Sequence, residues 1–395
     1  MASARVRTRP TAATTKKFAC LDGCRALAAI AVLVTHVAFI TAANERSTIG
    51  PYLARLDAGV AVFFVLSGFL LYRPMVVRHL EGRPAAGVRS YALRRFLRIF
   101  PAYWVALTAA ILLLPAGHKP DLGELLRYYT LTHIYWPSTV LGPVDQAWSL
   151  GTEIAFYLAL PFYAGAVAAT VARRRMSVVR GELIGVAVMF VLAQLFRLVV
   201  VVPAATLTQR SLVTWLPNDL DLFALGMLLA VVHAWCEHHE RRPPLGLDRD
   251  WSPLAWWAVG ALAFYVVSTK VGLPAMSIDF AGPQLFARQL LYGVTAICVV
   301  APVVFGDVRR GIIRPFLASW PLRSLGVVSY GIYLWHQIVK DRYLSWSDTA
   351  IFQGGFARVL IVVFVVTTAI AAISWFVVER PALSRRPQPS MARPS

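Results

Sequence analysis

The chain has 395 residues, of which 58% are hydrophobic and only 15% charged, and its formal net charge is +19. A soluble domain carries nearer ~25% charged residues, and with a mean hydropathy of +0.60 an ordinary water-soluble fold is excluded. No basic stretch is interleaved with aromatics as a nucleic-acid groove requires, so the positive charge is expected in loops on one side of a bilayer.

Residues 1–23 hold Arg5, Arg7, Arg9, Lys16 and Lys17 and lead into an apolar run. That run, Ala26 to Ala43, is longer than the core of a signal peptide and reads as a retained spanning helix. Apolar stretches of about 20 residues, enough to cross, recur down the chain. Ten are expected, at 24–43, 58–77, 99–116, 146–168, 181–202, 216–235, 253–271, 285–305, 322–340 and 357–378. They should be helices, because only a helix satisfies its backbone hydrogen bonds one segment at a time in lipid. With the N-terminus in the cytoplasm, the inside segments hold 27 of the 39 Lys and Arg and the outside segments 10. Basic residues favour the cytoplasmic side. The expected fold is therefore an all-α polytopic integral membrane protein of about ten transmembrane helices with both termini cytoplasmic. A basic segment (1–23) precedes one membrane domain (24–380), and a Pro-, Arg- and Ser-rich tail (381–395) is expected to be disordered. Cys20, Cys24, Cys236 and Cys298 are scattered, with no metal-type pairing, and no metal site is expected.

Ionisable side chains inside a span cost several kcal/mol and usually face a cavity or a partner. The candidates are Arg25, His36, Glu153, Arg197, Asp219, Asp221 and His336. At 1.5 Å rise per residue, His36, Ser67, Glu153 and His336 fall at ~17–21 Å from the inner face of a ~30 Å core. Four polar residues from four helices thus share one layer, as a catalytic or transport chamber requires. Arg25 and His36 are eleven residues apart, which returns them to one helix face ~16 Å apart. That spacing suits a long donor with an anionic head and a reactive tip, such as acyl-CoA. Arg94, Arg95 and Arg98 form a second basic cluster ahead of the third span. Guanidinium forks match phosphate oxygens, although a cytoplasmic loop is basic in any case and lipid head groups are an alternative ligand.

At these residues the chain resembles the membrane acyltransferase 3 family. The matching segments are Leu21-Asp22-Gly23-Cys24-Arg25 through Thr35-His36, Phe63 through Ser67-Gly68-Phe69-Leu70, Arg94-Arg95 through Arg98 and Pro101, Trp148-Ser149-Leu150 through Glu153 and Phe156-Tyr157, Ser329 through Trp335-His336, and Glu379-Arg380-Pro381. They stand in the family's order over essentially the whole chain. Cys24 departs from it, where Leu is more usual. The resemblance implies transfer of acetyl or another short acyl group to a hydroxyl of a surface polysaccharide, a lipid-linked glycan or a glycosylated antibiotic such as a macrolide. It implies the stand-alone form, without a secreted esterase-like domain, in a bacterial cytoplasmic membrane.

The expected mechanism has His36 as general base on the acceptor hydroxyl, with Glu153 orienting its imidazole if the cavity brings them within reach. Arg25, Arg94, Arg95 and Arg98 would hold the phosphates of acyl-CoA, a donor co-substrate rather than a bound cofactor. Ser67, Tyr330 and His336 would line the cavity or bind the acceptor. An acyl-histidine intermediate on His36 is the variant mechanism. A transporter of small organic ions or acylated molecules is the rival class, against which stands the lack of repeated halves or matched interrupted helices. An inactive glycan-binding scaffold is the third alternative.

Overall fold

The computed structural model describes residues 18–84, 87–114, 119–204, 206–276, 282–347 and 349–385. Most of the basic N-terminal segment, and the tail from residue 386, lie outside the described residues. No strand occurs among the described residues, and ten long helices carry the fold: α1 Ala19–Ile40, α2 Gly59–Leu80, α3 Val88–Leu113, α4 Trp148–Arg174, α5 Val178–Phe196, α6 Leu216–His238, α7 Ser252–Thr269, α8 Gly282–Val304, α9 Ser329–Trp346 and α10 Phe356–Ser374. Each of α5 and α10 runs on into a π-helical turn, Arg197–Val201 and Trp375–Glu379. The chain then makes one more helical turn, Arg380–Ser384, where the disordered tail was expected to begin.

Among the described residues, nine helices are long and apolar enough to cross a membrane. The tenth, α9, is not one of them. The expected span 322–340 is two helices, Trp320–Val327 and Ser329–Trp346, parted at Val328. The second carries His336, Gln337, Lys340, Asp341 and Arg342. It tolerates His336, Gln337 and Lys340 because that stretch is enclosed by other helices, chiefly α1 and α10, whereas Asp341 and Arg342 lie past the enclosed part. Every residue from Gly331 to Lys340 is buried.

Burial separates a centre from a rim. In the spanning window around α6, 72% of residues are buried, against 22% in the window that includes α10. The rim helices turn large apolar side chains outward, among them Leu158, Phe162, Val199, Leu254, Leu262, Ile361 and Val365. In water such a surface would drive aggregation; in a bilayer it is the lipid-facing surface.

Lipid tails are as apolar as leucine, so helices in a bilayer pack through close approach at small residues. The most extensive contact is between α2 and α6, and two glycines make it possible. A β-carbon on Gly68 would collide with the Phe223 carbonyl, and one on Gly226 with the Val65 carbonyl. Gly68 follows Ser67 directly, so this contact also sets which way Ser67 faces.

Candidate active site

Ser67 on α2 and Glu153 on α4 meet at the centre of the bundle. The Ser67 hydroxyl donates to Glu153 Oε1 at 2.5 Å, and the Tyr157 hydroxyl donates to the same oxygen at 2.6 Å. Glu153 and Tyr157 are one turn apart on α4, hence on one face. They border a cavity of about 100 Å³ that is also lined by Arg25, Arg95, Arg98, Ser67, Ser149, Tyr330 and Tyr333. Three guanidinium groups thus face one carboxylate, which favours an anionic or strongly dipolar guest. Arg95 lies over the Tyr157 ring with its guanidinium carbon 5.6 Å from the centroid, and Arg98 over the Tyr330 ring at 5.9 Å. The Tyr330 hydroxyl donates to the Ile99 carbonyl at 2.8 Å. Arg25 is 3.4 Å from Asp22 Oδ1.

The two histidines form a separate pair. His36 Nδ1 and His336 Nε2 are 2.9 Å apart, and the rings lie edge to edge with centroids 5.0 Å apart and planes 24° from parallel. Neither lines the cavity. Tyr333 joins the two regions: it forms part of the cavity wall, and its ring centroid is 6.0 Å from that of His336. Its hydroxyl is 2.7 Å from Ser149 Oγ, and the Gln146 amide donates to the carbonyls of Tyr333 and Leu334 at 3.1 and 2.8 Å. The start of α4 is thereby tied to the middle of α9.

Three expectations are corrected by this geometry. Glu153 does not orient His36; the imidazole is held by His336, and the carboxylate by Ser67 and Tyr157. Arg94 does not line the cavity, whereas Arg95 and Arg98 do. Helical phase does not explain this, since 94 lies within about 40° of 98; which guanidinium groups reach the cavity is set by how the helix packs. His336 has both ring nitrogens engaged, Nε2 with His36 and Nδ1 with the Ile332 carbonyl at 3.2 Å, so it offers none to an acceptor. Arg25, Arg95, Arg98, Ser67, Glu153 and Tyr330 do line one cavity.

The other ionisable residues inside spans pair elsewhere. Arg197 bonds Asp221 Oδ2 at 2.9 Å and the Asn218 side chain at 3.2 Å, and Gln289 donates to Asp219 at 2.8 Å. These residues tie α5, α6 and α8 together and do not line the cavity. Tyr157, Ser149 and Tyr333 were not singled out as site residues. The i, i+4 spacing of Glu153 and Tyr157 was the available signal for the first; nothing local marks the others, whose roles depend on tertiary contact.

Residues 18–378 match the acyltransferase-3 family, described as an acyltransferase domain. The chain belongs to this family. It is a multi-pass bacterial membrane acyltransferase. Among its relatives, Nodulation protein 10 of Rhizobium leguminosarum bv. viciae is 28% identical over 83% of this chain and 82% of that protein. The peptidoglycan O-acetyltransferase OatA of Listeria monocytogenes is 24% identical over 91% of this chain and 55% of its own length. The putative peptidoglycan O-acetyltransferase YrhL of Bacillus subtilis is 26% identical over 91% and 54%. The chain thus spans about half the length of these last two relatives of the acyltransferase-3 family. No solved structure matches.

Proposed function

We propose that this acyltransferase moves an acetyl or other short acyl group from acyl-CoA onto a hydroxyl of a carbohydrate or glycosylated molecule. The observation that carries the proposal is the convergence of Arg25, Arg95 and Arg98 on one cavity inside a membrane bundle, with the histidine pair beyond Tyr333. A half-buried concentration of positive charge in a membrane bundle is costly unless a guest compensates it. The diphosphate of coenzyme A is such a guest, and arginine forks suit its oxygens. The relatives named as peptidoglycan O-acetyltransferases support acetyl as the group and a glycan hydroxyl as the acceptor.

In the proposed reaction, His36 takes the proton of the acceptor hydroxyl as the oxygen attacks the thioester carbonyl carbon. The carbon–oxygen bond forms, the carbon–sulfur bond breaks, and the thiolate of coenzyme A leaves. His36 returns the proton to that sulfur. A positioned base contributes roughly 10²–10⁴-fold to such a step. Arg25, Arg95 and Arg98 hold the donor. The Ser67 and Tyr157 hydroxyls keep the Glu153 carboxylate at the cavity wall, where it balances part of the arginine charge. The thioester reaches His36 past Tyr333.

The test is mass spectrometry of cell-surface glycans and glycosylated secondary metabolites from cells with the gene, without it, and with His36→Ala. A hydroxyl-linked acyl increment should be lost in the last two. An unchanged acylation profile in both would sink the proposal.

A further inference from the structure

We propose that His336 is a positioning residue that holds His36 in the one tautomer able to act as base through Nε2. The inference rests on His36 as the general base and adds which nitrogen carries that role and why.

The argument starts one turn before His336. A backbone carbonyl can only accept. The Ile332 carbonyl lies 3.2 Å from His336 Nδ1, so that nitrogen bears a hydrogen. A neutral imidazole has one N–H, which leaves His336 Nε2 with a lone pair. The atom facing this lone pair, 2.9 Å away, is His36 Nδ1. Two lone pairs at that distance repel, so His36 Nδ1 brings the hydrogen. His36 Nε2 is then the bare nitrogen.

The relay therefore runs from a fixed carbonyl through His336 to His36, and each member fixes the next. His336 is 0% exposed, so water does not compete for its nitrogens. Once His36 Nε2 takes the acceptor's proton, the ring is positive, and the lone pair of His336 Nε2, accepting from His36 Nδ1, stabilises that charge. A neutral imidazole thus does what a carboxylate does behind a catalytic histidine in other enzymes.

The experiment compares His336→Leu and His336→Gln with His36→Ala and wild type in purified, detergent-solubilised enzyme, with acetyl-CoA and a sugar acceptor. Leucine removes the acceptor atom; the glutamine amide oxygen restores one near the position of Nε2. Loss of the correct tautomer costs up to about 10⁴ in kcat in a comparable arrangement. His336→Leu should lower kcat by roughly 10²–10⁴-fold and leave both KM values within about threefold, while His336→Gln stays within about tenfold of wild type. Wild-type kcat in His336→Leu, or equal loss in the Leu and Gln variants, would overturn the assignment while His36→Ala remains inactive. Transfer persisting in His36→Ala would instead overturn the base assignment beneath it. Should His336→Leu fail to fold, nitrogen-15 spectra of histidine-labelled wild type decide the matter. They should report His36 protonated at Nδ1 and bare at Nε2, and the reverse pattern overturns the proposal.

Discussion

Replacing Arg98 with alanine tests what the cavity binds. The Arg98 guanidinium lines the cavity and lies over the Tyr330 ring. If it holds a donor phosphate, its loss removes one charge-assisted hydrogen-bonding group, worth about 1.5–3 kcal/mol, or roughly 10- to 100-fold in binding. The contact with Tyr330 adds packing that alanine also removes, about 0.5–1 kcal/mol, so a simple loss of activity would not separate the two roles. A second substrate resolves this. S-acetylpantetheine carries the same thioester and arm without the phosphates. In steady-state assays the variant should lose about 10- to 100-fold in kcat/KM for acetyl-CoA, chiefly through KM, and less than about fivefold for acetylpantetheine. Equal losses on the two donors would refute the phosphate role and leave Arg98 a packing residue.

Other outcomes follow from particular contacts. Glu153→Ala leaves the Ser67 and Tyr157 hydroxyls without their acceptor and should cost about 2–4 kcal/mol of stability, read as a lower thermal midpoint in detergent; Glu153→Gln, which keeps an acceptor oxygen, should recover most of it. Arg314 is fully buried, donating to the carbonyls of Pro302, Arg249 and Leu247 and to Ser252 Oγ. Arg314→Ala should therefore destabilise by about 3–5 kcal/mol while leaving KM for acetyl-CoA unchanged in the folded fraction. Burial lowers the His133 pKa from 6.5 to about 4. The unfolded chain then binds the extra proton first, so the stability this residue contributes is complete above pH 6.5 and falls as pH drops toward 4, by about 2 kcal/mol at pH 5. His133→Gln should flatten the thermal midpoint between pH 4 and 6.5, and an unaltered slope would show that other groups set it.

Hydropathy made most of the fold legible, because a bilayer demands long apolar helices and little else at the rim. It was least informative for α9. Enclosure by α1 and α10 lets that helix carry His336, Gln337 and Lys340, so its limits and the break at Val328 could not be read from apolarity. Depth was expected to place His36, Ser67, Glu153 and His336 in one layer, and the structure joins them as two pairs, His36 with His336 and Ser67 with Glu153. Depth says nothing about azimuth. Which neighbour each residue meets depends on helix rotation, and for Ser67 that is set by the close approach at Gly68 and Gly226. The same limitation grouped Arg94 with Arg95 and Arg98, of which only the last two line the cavity. Tyr333 and Ser149 meet across 184 positions, a contact no local pattern encodes.

The most direct measurement is acyl transfer by the purified protein in detergent, where no gradient exists. Carbon-labelled acetyl-CoA and an oligosaccharide acceptor would be supplied to wild type and to His36→Ala, and free coenzyme A and labelled ester counted together. Wild type should release both in equal amounts, and the variant should release neither. Label that stays on the thioester with wild type, or equal ester formation by the two proteins, would contradict a histidine-based transferase at the centre of this bundle.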